Sequence, residues 1–386
     1  MSSGTTTPGH RAAGPVRTAV VGLGWAATSI WLPRLRRHPG YRVVAAVDPS
    51  PDARAALAEQ WEQEREPGHG PGGEPPGLLA DIDGLGPQDV DLAVVAVPNH
   101  LHSAIACRLL RNGVPVFVEK PVCLDSAQAE ELAEAELAGG AVLLAGSASR
   151  YRADVRALGA LAADLGRLRH VEVSWVRARG VPKAGGWFTQ RRFAGGGAMV
   201  DLGWHLIDAV TPMLGSTAFR QVVGTVSDDF VNDGAARAAW REDEQSGGAA
   251  GNVEDTARGF LVTEDGVSVA IRASWASHEA LDTTTIRLEG SAGTAQLRCT
   301  FGFSPNRAGG SVLTLTRDGV TTEVPVADEP IGAEYLRQID ELPGLLADPG
   351  ARGRTVAEVR DTIGVIERLY ASARPVPSLA TTRSSQ

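Results

Sequence analysis

The sequence predicts a two-domain α/β protein, in which a doubly wound parallel sheet is followed by an α/β domain with a mostly antiparallel sheet. Three observations predict this fold class. The 386-residue chain is 43% hydrophobic and 22% charged, so it is long enough to build two cores. Its first part alternates short apolar strands with helical patterns, which is typical of a parallel sheet covered on both faces. Its second part carries alternating strands joined by short glycine-containing turns, which favour antiparallel pairing.

The elements of the first part follow one another as strand, helix, strand. Continuous apolar runs predict strands at 17–21, 42–47, 92–97, 115–118 and 141–145, and helical periodicity predicts helices at 25–37, 104–110 and 126–137. The density of glycine and proline at 65–77 indicates an exposed insertion. We therefore expect a first domain with a doubly wound parallel sheet over 17–148, preceded by a disordered tail at 1–16.

The second part predicts a helix at 151–164, a strand at 168–176 and a helix at 199–214, followed by alternating strands and two closing helices. The strands are expected at 259–262, 268–275, 284–288, 294–297 and 312–315, and the helices at 333–346 and 356–372. Residues 241–252 are predicted to form a mobile loop. This domain is expected to span 149–378 and to end in a frayed tail at 379–386.

Composition excludes several function classes. With 37 basic and 46 acidic residues the formal charge is −9, and there is no strong basic cluster, so a nucleic-acid partner is not expected. No run approaches 18 apolar residues, and the first sixteen residues lack the apolar core of a signal peptide, so no membrane association is expected. Three widely spaced cysteines without a C-x-x-C pair favour a reducing, cytoplasmic compartment and no metal site.

A dinucleotide fingerprint follows the first strand. In the G-x-G-x-x-A turn, Gly22 permits the tight turn, Gly24 lets the backbone approach a pyrophosphate, and the small Ala27 allows close packing of helix on strand. Trp25 and Ala26 stand at the start of the helix, whose free N–H groups can bind phosphate. The turn therefore predicts a Rossmann domain that binds a nicotinamide dinucleotide.

Asp48 ends the second strand, 26 residues after Gly22. A carboxylate at this place can accept hydrogen bonds from the adenosine ribose hydroxyls and would repel a 2′-phosphate, so NAD is predicted rather than NADP. Arg54, one helical turn further on, keeps NADP open as a weaker alternative. Asp48 could also serve only as a helix cap or turn residue.

The two lysines of the chain, Lys120 and Lys183, stand against 35 arginines. A coding bias explains this ratio wherever a surface needs only positive charge. Lys120 follows Glu119 at the carboxyl end of a parallel strand, where doubly wound folds bind ligands, and a compact ammonium can polarise an alcohol or carbonyl oxygen. The sequence therefore predicts a catalytic role for Lys120 and a binding role for Glu119, although a simple ion pair between them is the alternative. Lys183 is predicted to lie in a loop.

A second constellation follows a triple glycine at 195–197. On a helix, Asp201, His205 and Asp208 are spaced i, i+4 and i+7, which places two carboxylates and an imidazole on one face. A carboxylate neighbour orients an acid–base histidine and helps it to hold a proton near neutral pH. We therefore predict that His205 is an acid–base group. A structural histidine and a metal site are the two alternatives, and the metal is the less favoured.

Several motifs together resemble the Gfo/Idh/MocA family of oxidoreductases over residues 17–378. They are GLGWAA at 22–27, AVVAVPNHLH at 93–102, VEKP at 118–121, GGGAMVDLGWHLID at 195–208 and NVEDTARGFLVTEDG at 252–266. The resemblance implies a Rossmann domain followed by an α/β domain whose large sheet has an open face that forms a homodimer or homotetramer. It implies that Lys120, Asp201 and His205 carry the chemistry. It also implies that Pro98, Asn99 and His102 lie beside the nicotinamide.

The expected reaction is reversible hydride transfer between nicotinamide and a ring carbinol of a sugar, amino sugar or cyclitol. Candidate contacts to such a polyhydroxylated substrate are Arg150, Tyr151, Trp187, Asp208 and, less strongly, His278. The alternatives are a sugar-nucleotide ketoreductase that uses NAD(P)H, an NAD-dependent glycosidase, and a non-catalytic NAD-sensing regulator. The presence of all three chemical residues argues against the regulator.

Overall fold

The structure, a computed structural model, describes residues 14–63, 74–238 and 250–373. Within them the chain forms one sheet of six strands and one of eight, and helices pack on both. The predicted fold class is thus confirmed. The predicted C-terminal tail, and most of the predicted N-terminal tail and of the segments 65–77 and 241–252, lie outside the described residues.

The first sheet is parallel throughout. Its strands lie in the order β3-β2-β1-β4-β5-β6, so the direction of winding reverses between β1 and β4 and a crevice opens at their carboxyl ends. Burial on both faces explains why most of these strands are apolar without alternation. The strands are β1 (Val16–Val21), β2 (Tyr41–Val47), β3 (Gly77–Leu79), β4 (Leu92–Val95), β5 (Val116–Val118) and β6 (Leu143–Ala145).

The second sheet has the order β14-β13-β12-β11-β7-β10-β9-β8 and is antiparallel except between β7 and β10. Its strands are β7 (Leu168–Val176), β8 (Phe219–Ser227), β9 (Thr256–Thr263), β10 (Ser268–Ser274), β11 (Thr283–Gly290), β12 (Thr294–Cys299), β13 (Val312–Arg317) and β14 (Val320–Val324). Strands β3, β8 and β14 were not predicted. All three are edge strands, which bury few side chains and so have a weak apolar pattern. In β14, four of the five residues are exposed.

Nine α-helices occur in the described part of the chain: α1 (Leu32–Arg37), α2 (Pro51–Gln63), α3 (His102–Arg111), α4 (Ser126–Gly139), α5 (Ala153–Ala162), α6 (Arg191–Ala194), α7 (Trp204–Val210), α8 (Ala333–Ala347) and α9 (Arg354–Ser372). Segments with π-helical hydrogen bonding, Ala26–Trp31 and Met199–Gly203, precede α1 and α7. The helices predicted at 25–37 and 199–214 are therefore each divided near a candidate site, where such wide turns are frequent.

The two closing helices join the two sheets. Ile339 and Leu342 of α8 pack in the same apolar cluster as Leu35 of α1, and Tyr41 of β2 donates a hydrogen bond to the Ile339 carbonyl at 2.6 Å. Helix α8 therefore covers one face of the first sheet, although it follows the second sheet in sequence. Helix α9 packs on the second sheet through Leu369.

The opposite face of the second sheet exposes apolar side chains at its β8–β9 end. Val223 and Phe260 pair across these strands and are 60% and 52% exposed. They suit the oligomer contact that the resemblance implies, which stays a prediction. None of the helices in the described ranges is long and apolar enough to cross a membrane.

Candidate active site

The glycine turn after β1 has the geometry that a dinucleotide needs. Gly22 has a φ of +87°, and an added Cβ would lie 2.8 Å from the Ala96 carbonyl oxygen, so a side chain does not fit. An added Cβ at Gly24 would meet no atom within 4 Å, which leaves the backbone open to a pyrophosphate. Ala27 is fully buried against the sheet. These residues fit the predicted cofactor.

Trp25 and Ala26, the two other predicted residues of this turn, are half-buried at the start of the π-helical segment. The Trp25 ring packs edge-on against Phe303 at a centroid distance of 5.7 Å, and Phe303 stacks on Tyr335 of α8. The wall beside the phosphate turn is therefore aromatic and comes from the second half of the chain. Sequence reasoning missed Phe303 and Tyr335, because their role depends on how α8 docks.

Asp48 lies at the carboxyl end of β2 and already accepts two backbone hydrogen bonds. Leu23 N–H donates to Oδ2 and Ser50 N–H to Oδ1, both at 2.9 Å. The capping role considered as an alternative is thus present, yet a carboxylate has about four acceptor sites, so two remain for ribose hydroxyls. Arg54 donates to the Asp48 carbonyl, which places its guanidinium beside the same edge.

Asn99 and His102 tie the loop after β4 to its surroundings. Asn99 Nδ2 donates to the Ala194 carbonyl at 3.1 Å. The His102 ring nitrogens lie 2.6 Å from the Pro121 carbonyl and 2.8 Å from the Val97 carbonyl. Burial lowers the pKa of His102 to about 4, so the neutral ring donates to one of these carbonyls.

The side chains of Asn99 and His102 therefore position the loop, and the half-buried Pro98 begins it. Contact of these three residues with a cofactor stays a prediction.

Glu119 is buried, and its carboxylate binds the protein itself. Trp31 Nε1 donates to Oε1 at 2.7 Å and the Lys120 backbone N–H donates to Oε2 at 3.0 Å. Burial raises the pKa of this carboxyl, while the Lys120 charge opposes the shift. Glu119 thus anchors the end of β5 to the first helical segment. These contacts do not support the predicted direct ligand contact.

Lys120 lies against Asp201 across the crevice. Lys120 Nζ donates to Asp201 Oδ1 at 2.6 Å, and the two side chains are 18% and 8% exposed. The indole N–H of Trp275, a residue that sequence reasoning missed, donates to Asp201 Oδ2 at 2.9 Å. The ion pair predicted as an alternative for Lys120 is therefore real, but its partner is Asp201 rather than Glu119.

His205 is a half-buried, neutral base. Burial, and then the Lys120 charge, lower its pKa to about 3, which outweighs the opposing effect of Asp201. The expectation that neighbouring carboxylates keep this ring protonated near neutral pH is wrong, because desolvation and a cation dominate. Its ring lies 5.7 Å from the ring of Trp175 of β7, another residue missed from sequence.

Asp208 and Arg150, both predicted substrate contacts, bind each other. Arg150 Nη2 lies 2.7 Å from Asp208 Oδ1, and Arg150 Nη1 lies 2.7 Å from Glu358 of α9. Ser147 Oγ also donates to Asp208 Oδ1. Burial raises the pKa of Asp208 to about 6, against the effect of Arg150. Most of the polar capacity of this pair is used internally, and of its polar atoms only Asp208 Oδ2 has no partner in the described part of the chain. Substrate contact by Arg150 and Asp208 stays a prediction.

The three remaining predicted pocket residues lie in different surroundings. Trp187 packs on Phe188 at 5.0 Å, and Phe188 lies 6.0 Å from Trp275, so Trp187 belongs to the aromatic wall behind Asp201. Tyr151 is half-buried under the Arg156 guanidinium, and burial raises its pKa to about 12. His278 is exposed and contacts Phe230. Substrate contact by these three residues stays a prediction.

Glu254 holds the start of the segment that carries Asp201. Its carboxylate accepts the backbone N–H groups of Gly197 and Met199 at 3.0 Å each and the Tyr370 hydroxyl at 2.6 Å, and it lies 3.3 Å from Arg191. Glu254 stands in the NVEDTA motif, and the sequence alone predicted no role for it. A buried acid next to a triple glycine was the available signal.

Family models match both halves of the chain. A family model described as "Oxidoreductase family, NAD-binding Rossmann fold" matches residues 16–147, and one described as "GFO/IDH/MocA C-terminal domain" matches residues 157–296. The chain is 58% identical over 358 residues to a protein of Amycolatopsis mediterranei named "Putative UDP-kanosamine synthase oxidoreductase subunit". That match covers 93% of this chain and 96% of the relative.

Two solved structures share the fold. GenD2 from gentamicin A biosynthesis, in complex with NAD, matches with a TM-score of 0.71 and 23% identity over 96% of this chain and 97% of that chain. KijD10, a 3-ketoreductase from Actinomadura kijaniata in complex with NADP and TDP-benzene, matches with a TM-score of 0.70 and 19% identity over 93% and 98%.

Proposed function

The chain belongs to the Gfo/Idh/MocA family of oxidoreductases, and we propose that it transfers a hydride between NAD and a ring carbinol of a sugar, amino sugar or cyclitol. The observation that carries the proposal is the meeting of Lys120, Asp201 and His205 at the carboxyl edge of the first sheet. The open Gly24 turn and the Asp48 carboxylate at the same edge support the cofactor.

The protein residues supply the proton chemistry. In the oxidative direction the neutral His205 accepts the hydroxyl proton as the carbinol becomes a ketone, and Lys120 donates a hydrogen bond to the same oxygen. A bound nicotinamide supplies the hydride acceptor in this direction and the hydride donor in the other. In the reductive direction a protonated His205 is a strong proton donor, because its buried site favours the neutral ring.

Asp201 holds Lys120 in place and balances its charge. With Trp275 on its other oxygen, the carboxylate has little freedom to rotate, so Lys120 Nζ is fixed relative to the His205 ring. Glu254 fixes the backbone from which Asp201 projects. This second layer of contacts is what gives an acid–base site its precision.

A second candidate function is oxidation or reduction of a nucleotide-linked sugar. The relative at 58% identity is named as an oxidoreductase subunit of a UDP-kanosamine synthase, and KijD10 is a ketoreductase solved with TDP-benzene. These names favour this candidate over the regulator and the glycosidase. Because Arg54 lies beside Asp48, NADP is the alternative cofactor.

We also propose a cellular compartment and an oligomeric state for the protein. All three cysteines, Cys107, Cys123 and Cys299, are buried and unpaired, which supports a reducing cytoplasm. The exposed Val223 and Phe260 support a homo-oligomer built through the open sheet face. Size-exclusion chromatography with light scattering tests the oligomer, and a monomer would contradict it.

The proposed activity is tested by following NADH and NADPH with the purified protein. Cyclitols, hexoses, amino sugars, nucleotide-linked hexoses and their keto forms are the substrates to screen. We expect turnover of at least one, and a loss of about 10² to 10⁴ in rate for His205→Ala. A wild-type rate in His205→Ala contradicts the role of His205, and cofactor binding without turnover of any substrate favours the regulator.

A further inference from the structure

The carboxyl end of β7 carries two buried hydrogen-bond donors next to His205. Successive odd residues of a strand point to one face, so Arg177, just past the end of β7, continues the face of Trp175. Trp175 and Arg177 are 4% and 5% exposed. The Arg177 guanidinium carbon lies 5.0 Å from the Trp175 ring centroid, and the His205 ring lies 5.7 Å from the same centroid. A cation and the acid–base ring thus contact one indole.

The indole N–H of Trp175 has no hydrogen-bond partner among the described residues, although it is buried. Buried polar groups are nearly always paired, and one that is not calls for an explanation such as a bound ligand. An acceptor atom of a ligand would satisfy this donor. Because indole can only donate, the missing partner must be an acceptor.

Gly302 lets the backbone pack closely beside these two donors. Its φ is +74°, and an added Cβ would lie 3.1 Å from Trp175 Cζ2 and 3.8 Å from Arg177 Nη2. Cζ2 belongs to the ring edge beside the N–H, so a side chain at 302 would crowd the indole edge and contact the guanidinium. The absence of a side chain at 302 therefore keeps a further group away from the edge that carries one cation and one neutral donor.

The segment that begins at Arg177 is positively charged. Residues 177–200 contain five basic and no acidic residues, in a chain with a formal charge of −9. Arg177 contacts the same indole as His205, and its charge, after burial and Lys120, helps to lower the pKa of His205. Such a field attracts an anion toward this side of the crevice.

We propose that Arg177 and Trp175 form a subsite for a phosphoryl group of the substrate, so that the protein acts on a phosphorylated or nucleotide-linked sugar rather than a free one. The proposal rests on the proposed function and names its substrate class. A guanidinium is the preferred protein group for phosphate, because its planar donors match the phosphate oxygens. A single Trp175 ring between the subsite and His205 lets one sugar reach from its phosphoryl group to its reacting carbinol.

The test compares six substrates by kcat/KM: UDP-glucose, dTDP-glucose, glucose 1-phosphate, glucose 6-phosphate, glucuronate and glucose. We expect at least one phosphorylated sugar to exceed glucose by about 100-fold or more, since a charged hydrogen-bonded pair contributes roughly a factor of 10 to 100 per contact. The individual phosphorylated sugars then show whether the anion is a diphosphate linker or a simple phosphate. Glucose or glucuronate turned over as well as every phosphorylated sugar overturns the subsite while the proposed function stands.

Variants assign the preference to these residues. Arg177→Met is expected to lower the preference for the phosphorylated sugar roughly 10- to 100-fold with little change for glucose, and Arg177→Lys to restore part of it. Trp175→Phe keeps an aromatic side chain but removes the N–H together with the five-membered ring, so it should lower the preference about 2- to 10-fold even if Arg177→Met folds poorly. Arg272→Met, on β10, removes a charge from the other face of the same sheet and serves as the control.

An equal loss with every substrate in Arg177→Met and Trp175→Phe would show a structural role and overturn the subsite. The same result follows if Arg272→Met loses as much preference as Arg177→Met. If none of the six sugars reacts in either direction with NAD or NADP while a cyclitol or an amino sugar does, the subsite fails and the proposed function stands. If none of these compounds reacts, both fail.

Discussion

Replacing Lys120 by arginine separates charge from chemistry at the candidate site. Lys120 Nζ lies 2.6 Å from Asp201 Oδ1, with side chains 18% and 8% exposed. Arginine keeps the positive charge beside Asp201, so we expect the free energy of unfolding to change by about 1 kcal/mol or less. Lys120→Met would instead leave a buried carboxylate without its cation, which typically costs about 3–5 kcal/mol.

The same substitution should remove most of the activity. A planar guanidinium cannot place a compact, rotatable donor on the carbinol oxygen, and its pKa cannot shift. We expect kcat/KM to fall by about 10² to 10⁴, or roughly 2.7–5.4 kcal/mol of transition-state stabilisation. The assay is NADH formation at limiting substrate, together with urea unfolding of each variant.

The matched control is Lys183→Arg, which changes the only other lysine and keeps the charge of its loop. It should retain kcat/KM within about a factor of two, because the charge is kept at a half-buried loop position outside the Lys120–Asp201 pair. If Lys120→Arg keeps more than a tenth of wild-type kcat/KM, or if Lys183→Arg loses as much, the reasoning about Lys120 is refuted.

Three further predictions concern the base, the cofactor and the support of the site. Because the pKa of His205 is lowered to about 3, its ring is neutral above about pH 4. The pH profile of kcat/KM for oxidation should therefore show no acidic fall near pH 6.5. A fall there that is absent in His205→Gln would contradict this prediction. Asp48→Ala should lower kcat/KM for NAD roughly 10- to 100-fold and reduce the preference of the enzyme for NAD over NADP. Arg54→Ala should lower kcat/KM for NADP. An unchanged ratio of kcat/KM with NAD to kcat/KM with NADP in both variants counts against these roles. Glu254→Ala leaves three buried donors unpaired at a cost of about 1–3 kcal/mol each. Urea unfolding should therefore show a loss of at least about 3 kcal/mol in the free energy of unfolding, against about 1–2 kcal/mol for Glu254→Gln. Equal losses in the two variants would mean that the acceptor oxygen of Glu254 does not stabilise the protein.

Local patterns were enough for the parts of the fold that depend on neighbours in sequence. The apolar runs of β1, β2, β4 and β5 predict buried parallel strands, because a strand covered on both faces has no polar side to show. The G-x-G-x-x-A turn at Gly22 and the acid at Asp48 could be placed for the same reason, since turn geometry and strand ends are set within a few residues. Edge strands such as β14 were missed, because a strand that buries little has no strong pattern.

The state of the candidate site depends on residues far apart in sequence. Lys120 meets Asp201 across 81 residues, Trp275 reaches Asp201 across 74, and Glu254 reaches Gly197 across 57. No periodicity encodes these distances, so the partner of Lys120 and the role of Glu254 could only be read from the packed chain.

The charge states of the site residues also depend on the packing of the folded chain. Sequence spacing placed Asp201 and Asp208 with His205 and suggested a protonated ring, yet Asp208 pairs with Arg150 and the pKa of His205 falls. A pKa is a sum over burial and all nearby charges, and burial exists only once the sheets and helices have packed. The sequence by itself therefore determined which residues are available for the chemistry, and the tertiary structure decided their partners and their protons.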